Sequence, residues 1–214
     1  MIETDVRPSY QRILVDPVAR ALGKRISPVQ LTVLSGIAGL LVLPCLYFGV
    51  QIAAIALLLL SGYLDTLDGT LARLTDHSSD WGSVLDITTD RLVEFTVIFA
   101  LWVIAPEYRS FWVIMMLGSV LLCITSFLVV GVFTANESEK GFHYSPGIME
   151  RAEAFLFFIA MILWPAWFAI LAFFFSLLVL ATAIIRLKQF YNAHRQSKPL
   201  PVSSKPFSRS LSHD

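Results

Sequence analysis

The chain has 214 residues, 56% of them hydrophobic and only 15% charged, with a mean hydropathy of +0.70. That apolarity excludes a water-soluble domain, and the balance of 16 Lys+Arg against 16 Asp+Glu excludes both a nucleic-acid-binding surface and an acidic solvating chain. The two cysteines, Cys45 and Cys123, lie inside apolar runs and read as packing residues rather than as a metal cluster or a disulfide.

Residues 1–26 form a cytoplasmic arm without the uninterrupted apolar stretch of a cleavable signal peptide. Between Tyr10 and Leu22, apolar Ile13, Leu14, Val18 and Leu22 recur at helical spacing with basic residues between them, which predicts an amphipathic helix at the membrane surface. Six apolar segments follow, at residues 30–49, 52–64, 83–105, 111–133, 152–164 and 166–185. A bilayer core of about 30 Å needs about 20 helical residues, so the second and fifth segments must extend through their polar flanks, the second as far as Leu74. Breakers mark the joins: Gly49, Pro106, Pro146 with Gly147, and Pro165.

The predicted fold is therefore an all-α membrane protein of six transmembrane helices over residues 27–195, preceded by the interfacial helix and followed by a disordered tail, 196–214. With a cytoplasmic amino terminus, the outer connections fall at residues 50–51, 106–110 and the turn at Pro165, and they hold only Arg109 of the 16 basic residues. Both termini are thus expected inside, and the polar stretches 65–90 and 134–151 share the cytoplasmic face.

Four aspartates sit at the ends of the second and third spans. At about 100° per residue, Asp65, Asp68, Gly69, Ala72 and Arg73 share one arc, while Gly82, Asp86 and Asp90 share one stripe of the next helix. Four carboxylates at the edge of hydrocarbon repel one another and are costly to desolvate. Divalent cations relieve both costs, and a hard all-oxygen donor set favours Mg²⁺ or Mn²⁺ over Zn²⁺, with enough carboxylates for two ions. Gly69, Ala72 and Gly82 leave room for a phosphorylated substrate near the backbone. Helix capping, or pairing with Arg73 and Arg91, is the purely structural explanation, but it accounts poorly for four carboxylates and two glycines on common stripes. Asp76, His77 and Asp80 lie between the two halves and read as a solvated loop.

The run from Asp65 to Asp90 resembles, at all eight fixed positions over 26 residues, the signature D-x2-D-G-x2-A-R-x8-G-x3-D-x3-D of the CDP-alcohol phosphotransferase family. The resemblance implies a transferase of phospholipid biosynthesis that takes a CDP-linked lipid such as CDP-diacylglycerol, releases CMP and joins the phosphatidyl group to a polar alcohol. It further implies Asp65, Asp68 and Asp86 as metal ligands, with Asp90 completing a second metal site and acting as general base. Asp65, Asp68, Gly69, Ala72, Arg73 and Gly82 would contact CDP. A homodimer in the cell (inner) membrane, with its active site at the cytoplasmic face, is also implied. One departure lies upstream, where Pro28 and Thr32 are kept but Val29 stands where members often carry asparagine.

For the acceptor, Arg151 opens the fifth span, Arg186 closes the sixth, and Lys140 lies in the loop between the fourth and fifth. These cations suit a phosphorylated alcohol, although positive-inside anchoring and solvation would also explain them. Arg151-Ala152-Glu153 and the late Arg186 resemble the branch that transfers to inositol phosphate, with Ala154 in place of a second arginine. Glycerol phosphate and serine are the other acceptors, and a divalent-cation transporter is the alternative of a different class. Ser35, Gly36 and Gly39 form a small-residue face that could meet either a second subunit or the chain's own helices.

Overall fold

The computed structural model describes residues 10–23, 26–76, 78–135 and 148–196, and among these every regular element is helical. A π-helical turn, Gln11–Val15, runs into helix α1, Asp16–Leu22. Val15 and Ala19 are buried against Leu31, Leu67 and Leu71, while Ile13, Leu14 and Val18 face outward. Three of the four apolar residues of the sequence stripe thus turn away from the protein, while Leu22 packs against the buried cluster.

The first apolar segment is two helices, α2 (Pro28–Leu40) and α3 (Val42–Tyr47), broken at Leu41. Pro44 causes the break, because it has no N–H and its ring crowds the carbonyl four residues back, at Leu40. Helix α2 begins with a capping box in which Ser27 Oγ accepts from the Gln30 N–H and the Gln30 side chain accepts from the Ser27 N–H. Gly49, with φ of +74°, makes the turn into α4 (Gln51–Thr75). Helix α4 carries the polar extension without interruption. Asp76 ends it in the left-handed conformation, and Ser79 then caps α5 (Asp80–Val103) by accepting from the Gly82 N–H at 3.0 Å.

Helix α6 (Pro106–Ala135) starts five residues before the expected span. Arg109, expected in an outer connection, instead lies buried in its first turn. It donates to the Leu101 carbonyl at 2.7 Å and stacks over Phe168 with 4.3 Å to the ring centroid, so it satisfies an orphan carbonyl at the end of α5. Helix α7 (Arg151–Leu163) and α8 (Phe168–Gln196) are joined by a 3₁₀ turn at Pro165–Trp167.

Among the described residues, four stretches are long and apolar enough to cross a membrane: Pro28–Tyr47, Gln51–Thr75, Pro106–Phe133 and Pro165–Ala193. Helix α5 falls outside this set because it carries Asp86, Asp90, Arg91 and Glu94, and α7 because it has 13 residues. The helices share a core in which Leu58, Val97, Leu101, Met116, Phe158 and Phe175 are fully buried.

The small-residue face of α2 meets the chain's own helices. Ser35 Oγ donates to the Ser61 carbonyl of α4 at 2.9 Å. A Cβ on Gly36 would lie 2.8 Å from Thr89 Cγ2, and one on Gly39 would lie 2.4 Å from Val93 Cγ2, both on α5. Such contacts are below any tolerated separation, so Gly39→Ala is expected to lower stability in detergent by about 1–3 kcal/mol through overpacking. Thermal unfolding checks this against Gly118→Ala, whose added methyl meets nothing within 4 Å. Partial recovery in Gly39→Ala/Val93→Ala would assign the loss to this crossing.

Candidate active site

The α4–α5 hairpin folds the two aspartate stripes together. Asp65, Asp68 and Asp86 each offer a carboxylate oxygen, and these oxygens lie within 4.8 Å of one another. Asp68 is 4% exposed and accepts a 2.5 Å hydrogen bond from Thr32 Oγ1 of α2. Oδ1 of Asp86 is buried without a hydrogen-bond partner among the described residues. Three hard oxygen donors in mutual reach, one of them orphaned, fit a divalent cation of the Mg²⁺ or Mn²⁺ type.

Asp90 lies beside Asp65, one helical turn along α5 from Asp86. It is ion-paired with Arg151 at the start of α7, and the same guanidinium also pairs with Asp65. The four aspartates of the sequence motif thus gather at one end of the hairpin, three in mutual reach and Asp90 sharing the Arg151 guanidinium with Asp65. The Glu150/Glu153 capping box at the head of α7 holds the helix end that presents Arg151.

On the other side of the hairpin, Arg73 is exposed and donates from Nη2 to Thr70 Oγ1 at 3.1 Å. A Cβ on Gly69 would approach nothing closer than Arg73 Nη1 at 3.5 Å, so the space over this glycine is open. Ala72 is half-buried on the same arc. Gly82 has a second use beyond open space, since its N–H occupies the Ser79 cap and a Cβ there would sit 3.1 Å from Ser79 Oγ. Asp76 and Asp80 lie at the end of α4 and the start of α5 and take no part in the carboxylate trio. His77, Lys140 and His143 lie outside the described residues.

Beside Asp90 opens a cavity of about 280 Å³ whose charged lining is Asp90, Arg91, Glu94, Glu150, Arg151 and Arg186. Arg186 of α8 donates to the Cys123 carbonyl at 3.2 Å and lies over the Phe127 ring at 5.0 Å. Arg91 pairs with Glu94. The structure thus brings Arg151 and Arg186 into one cavity with Asp90. Two participants were missed in the sequence. Thr32 holds an aspartate from a different helix, and Glu94 continues the stripe of Gly82, Asp86 and Asp90 at the same four-residue interval, a signal that was present.

A model of the CDP-alcohol phosphatidyltransferase family matches residues 25–198. The chain belongs to that family. It is 33% identical over 199 residues to the inner membrane protein YnjF of Escherichia coli, covering 89% of this chain and 96% of that one. It is 30% identical over 149 residues to the phosphatidylinositol phosphate synthase of Corynebacterium glutamicum, covering 66% and 65%. Two crystal structures of Mycobacterium tuberculosis phosphatidylinositol phosphate synthase share the fold. The one with CDP-DAG bound has a TM-score of 0.63 at 21% identity, over 92% of this chain and 99% of that one. The one in complex with manganese and citrate has a TM-score of 0.67 at 20% identity, over 91% and 94%. The protein is accordingly an integral membrane transferase.

The Thr32 contact generates a test. Thr32→Val, which keeps shape and removes the donor, is expected to weaken Mn²⁺ affinity by about tenfold, as losses around metal ligands do. The shift of the unfolding temperature with Mn²⁺ concentration measures this, and Asp86→Asn should abolish the shift.

Proposed function

We propose that the protein transfers a phosphatidyl group from CDP-diacylglycerol to a phosphorylated polyol of the inositol phosphate type, releasing CMP. The observation that carries this reading is the continuity of the aspartate trio, through Asp90, with a cavity lined by Arg151 and Arg186 as well as by Arg91, which is paired with Glu94. The phosphatidylinositol phosphate synthase of Corynebacterium glutamicum and the archaetidylinositol phosphate synthase of Pyrococcus horikoshii, 36% identical over 98 residues, support the acceptor class.

In this reading Asp65, Asp68 and Asp86 hold one divalent ion and Asp90 completes the site for a second. Such ions neutralise the pyrophosphate and polarise the phosphoryl group under attack. Gly69, Ala72 and Gly82 admit the CDP moiety, with Asp65 and Asp68 beside it, and Arg73 faces its phosphates with a planar guanidinium. Arg151 and Arg186, joined by Lys140, receive the acceptor phosphate. Asp90 takes the proton of the acceptor hydroxyl as its oxygen attacks the lipid-bearing phosphorus. The phosphorus–oxygen bond to CMP breaks, and CMP leaves with the electron pair.

The same reading places α5 and α7 across the bilayer beside the four apolar stretches, giving six spans in residues 27–195. Both termini, the amphipathic arm of residues 1–26, the tail from 196 and the active site lie at the cytoplasmic face of the cell membrane. Polar α5 is then shielded from lipid by its neighbours, and α7 crosses where the bundle covers its ends. The chain acts as a homodimer. Because the α2 small-residue face is occupied internally, the subunit contact uses other surfaces.

The deciding experiment is CMP release from detergent-solubilised protein with Mg²⁺ and CDP-diacylglycerol, comparing inositol phosphate, glycerol phosphate, serine and unphosphorylated inositol. Release is expected with inositol phosphate and is lost on chelation. Asp90→Asn should lower kcat by about 10²–10⁴-fold, the usual worth of a general base, and Arg186→Ala should raise KM for the phosphorylated acceptor by about tenfold, as loss of a charge-assisted contact does. Release with glycerol phosphate or serine alone would move the acceptor and keep the chemistry. Cation flux into sealed vesicles without CDP-lipid would replace the transferase reading with transport.

A further inference from the structure

The nucleotide side of the site contains a hydrogen-bond relay that the reaction above does not use. Thr70 occupies a position the signature leaves free, yet its hydroxyl is saturated. It donates to the Thr66 carbonyl at 2.9 Å and accepts from Arg73 Nη2 at 3.1 Å and from Gln11 Nε2 at 2.7 Å. One proton and two lone pairs are all that a hydroxyl has. Gln11 comes from the π-helical turn of the amino-terminal arm, and it also donates to Asp16 Oδ1 at 3.0 Å.

The arm that delivers Gln11 is fastened to α4 by contacts independent of Thr70. Tyr63 OH donates to the Leu14 carbonyl at 3.0 Å, and Val15 and Ala19 are buried against Leu31, Leu67 and Leu71. An exposed arginine surrenders much rotamer freedom when it grips an anion. With Nη2 already anchored on Thr70, less is lost, and Nη1 over Gly69 is presented to the ligand.

We propose that Gln11 and Thr70 are positioning residues that orient Arg73 toward the CDP-lipid, so that the amino-terminal arm sets donor affinity. This rests on the reading of Arg73 as a CDP contact given above. Kinetics of the full chain in detergent micelles test it. Thr70→Val and Gln11→Ala should each raise KM for CDP-diacylglycerol about fivefold, the worth of one ordinary hydrogen bond, with kcat and the acceptor KM unmoved. Thr70→Ser, which restores the hydroxyl, should return KM to the wild-type value. In an Arg73→Ala background neither substitution should add to the loss, because the relay acts only through that guanidinium. If Thr70→Val fails to fold, Gln11→Ala carries the test from the arm's side. An unchanged donor KM in Gln11→Ala, with Arg73→Ala raising it, would overturn the relay and leave the nucleotide site standing. Full additivity in the Arg73→Ala background would also overturn it. An unchanged donor KM in Arg73→Ala itself would remove both.

Discussion

The structure depends on one electrostatic constraint: carboxylates gathered at one end of the α4–α5 hairpin, inside an otherwise largely apolar bundle. Asp65, Asp68 and Asp86 lie within reach of one another, and no packing of apolar side chains can compensate such a concentration of like charge. The chain answers with donors and cations brought from elsewhere. Thr32 supplies a hydroxyl from α2, and Arg151 supplies a guanidinium from α7 that serves Asp65 and Asp90 together. Both depend on tertiary placement, so the carboxylates and the bundle specify each other.

Helix α2 acts as the ruler for that placement. Along a single face it presents Thr32 to Asp68, Ser35 to Ser61, Gly36 to Thr89 and Gly39 to Val93. The first two contacts are on α4 and the last two on α5. Two hydrogen bonds fix the axial register of α4, and two glycines let α5 come close enough for Asp86 to enter the trio. A slide of one helical turn, about 5.4 Å, would separate Thr32 from Asp68 and set Val93 against larger side chains. The stripe that suggests helix association in the sequence is therefore spent on building the site.

What could be read in the sequence follows the range of the forces involved. Hydropathy located each helical rod, and the need to complete a crossing carried α4 through its polar end to Thr75. The signature aspartates were legible because their spacing and helical geometry are both local. Pro44 carried the break at Leu41, but its effect falls inside an apolar run that hydropathy reads as continuous. Arg109 was read as a loop residue because counting basic residues by loop cannot see a guanidinium in the first turn of α6 folded onto Leu101 and Phe168. The pairing of Asp90 with Arg151 joins residues 61 positions apart, beyond the reach of any periodicity.

The arrangement also divides the hairpin into two chemically distinct flanks. Arg73, Thr70 and Gly69 belong to the flank covered by the amino-terminal arm, whereas Asp90, Arg151 and Arg186 open onto the cavity between α5 and the last three helices. The aspartate trio lies between them. A two-substrate displacement needs this separation, since a greasy donor and a polar acceptor must meet at one phosphorus without competing for one entrance. Arg151 belongs to both sides of the division, because it pairs with Asp65 and Asp90 and also lines the cavity. In the proposed reaction its charge would be shared between two tasks, and a cation that took over the carboxylates would free the guanidinium for an acceptor phosphate. By reciprocal linkage, occupancy of the carboxylates and occupancy of the cavity would then favour each other.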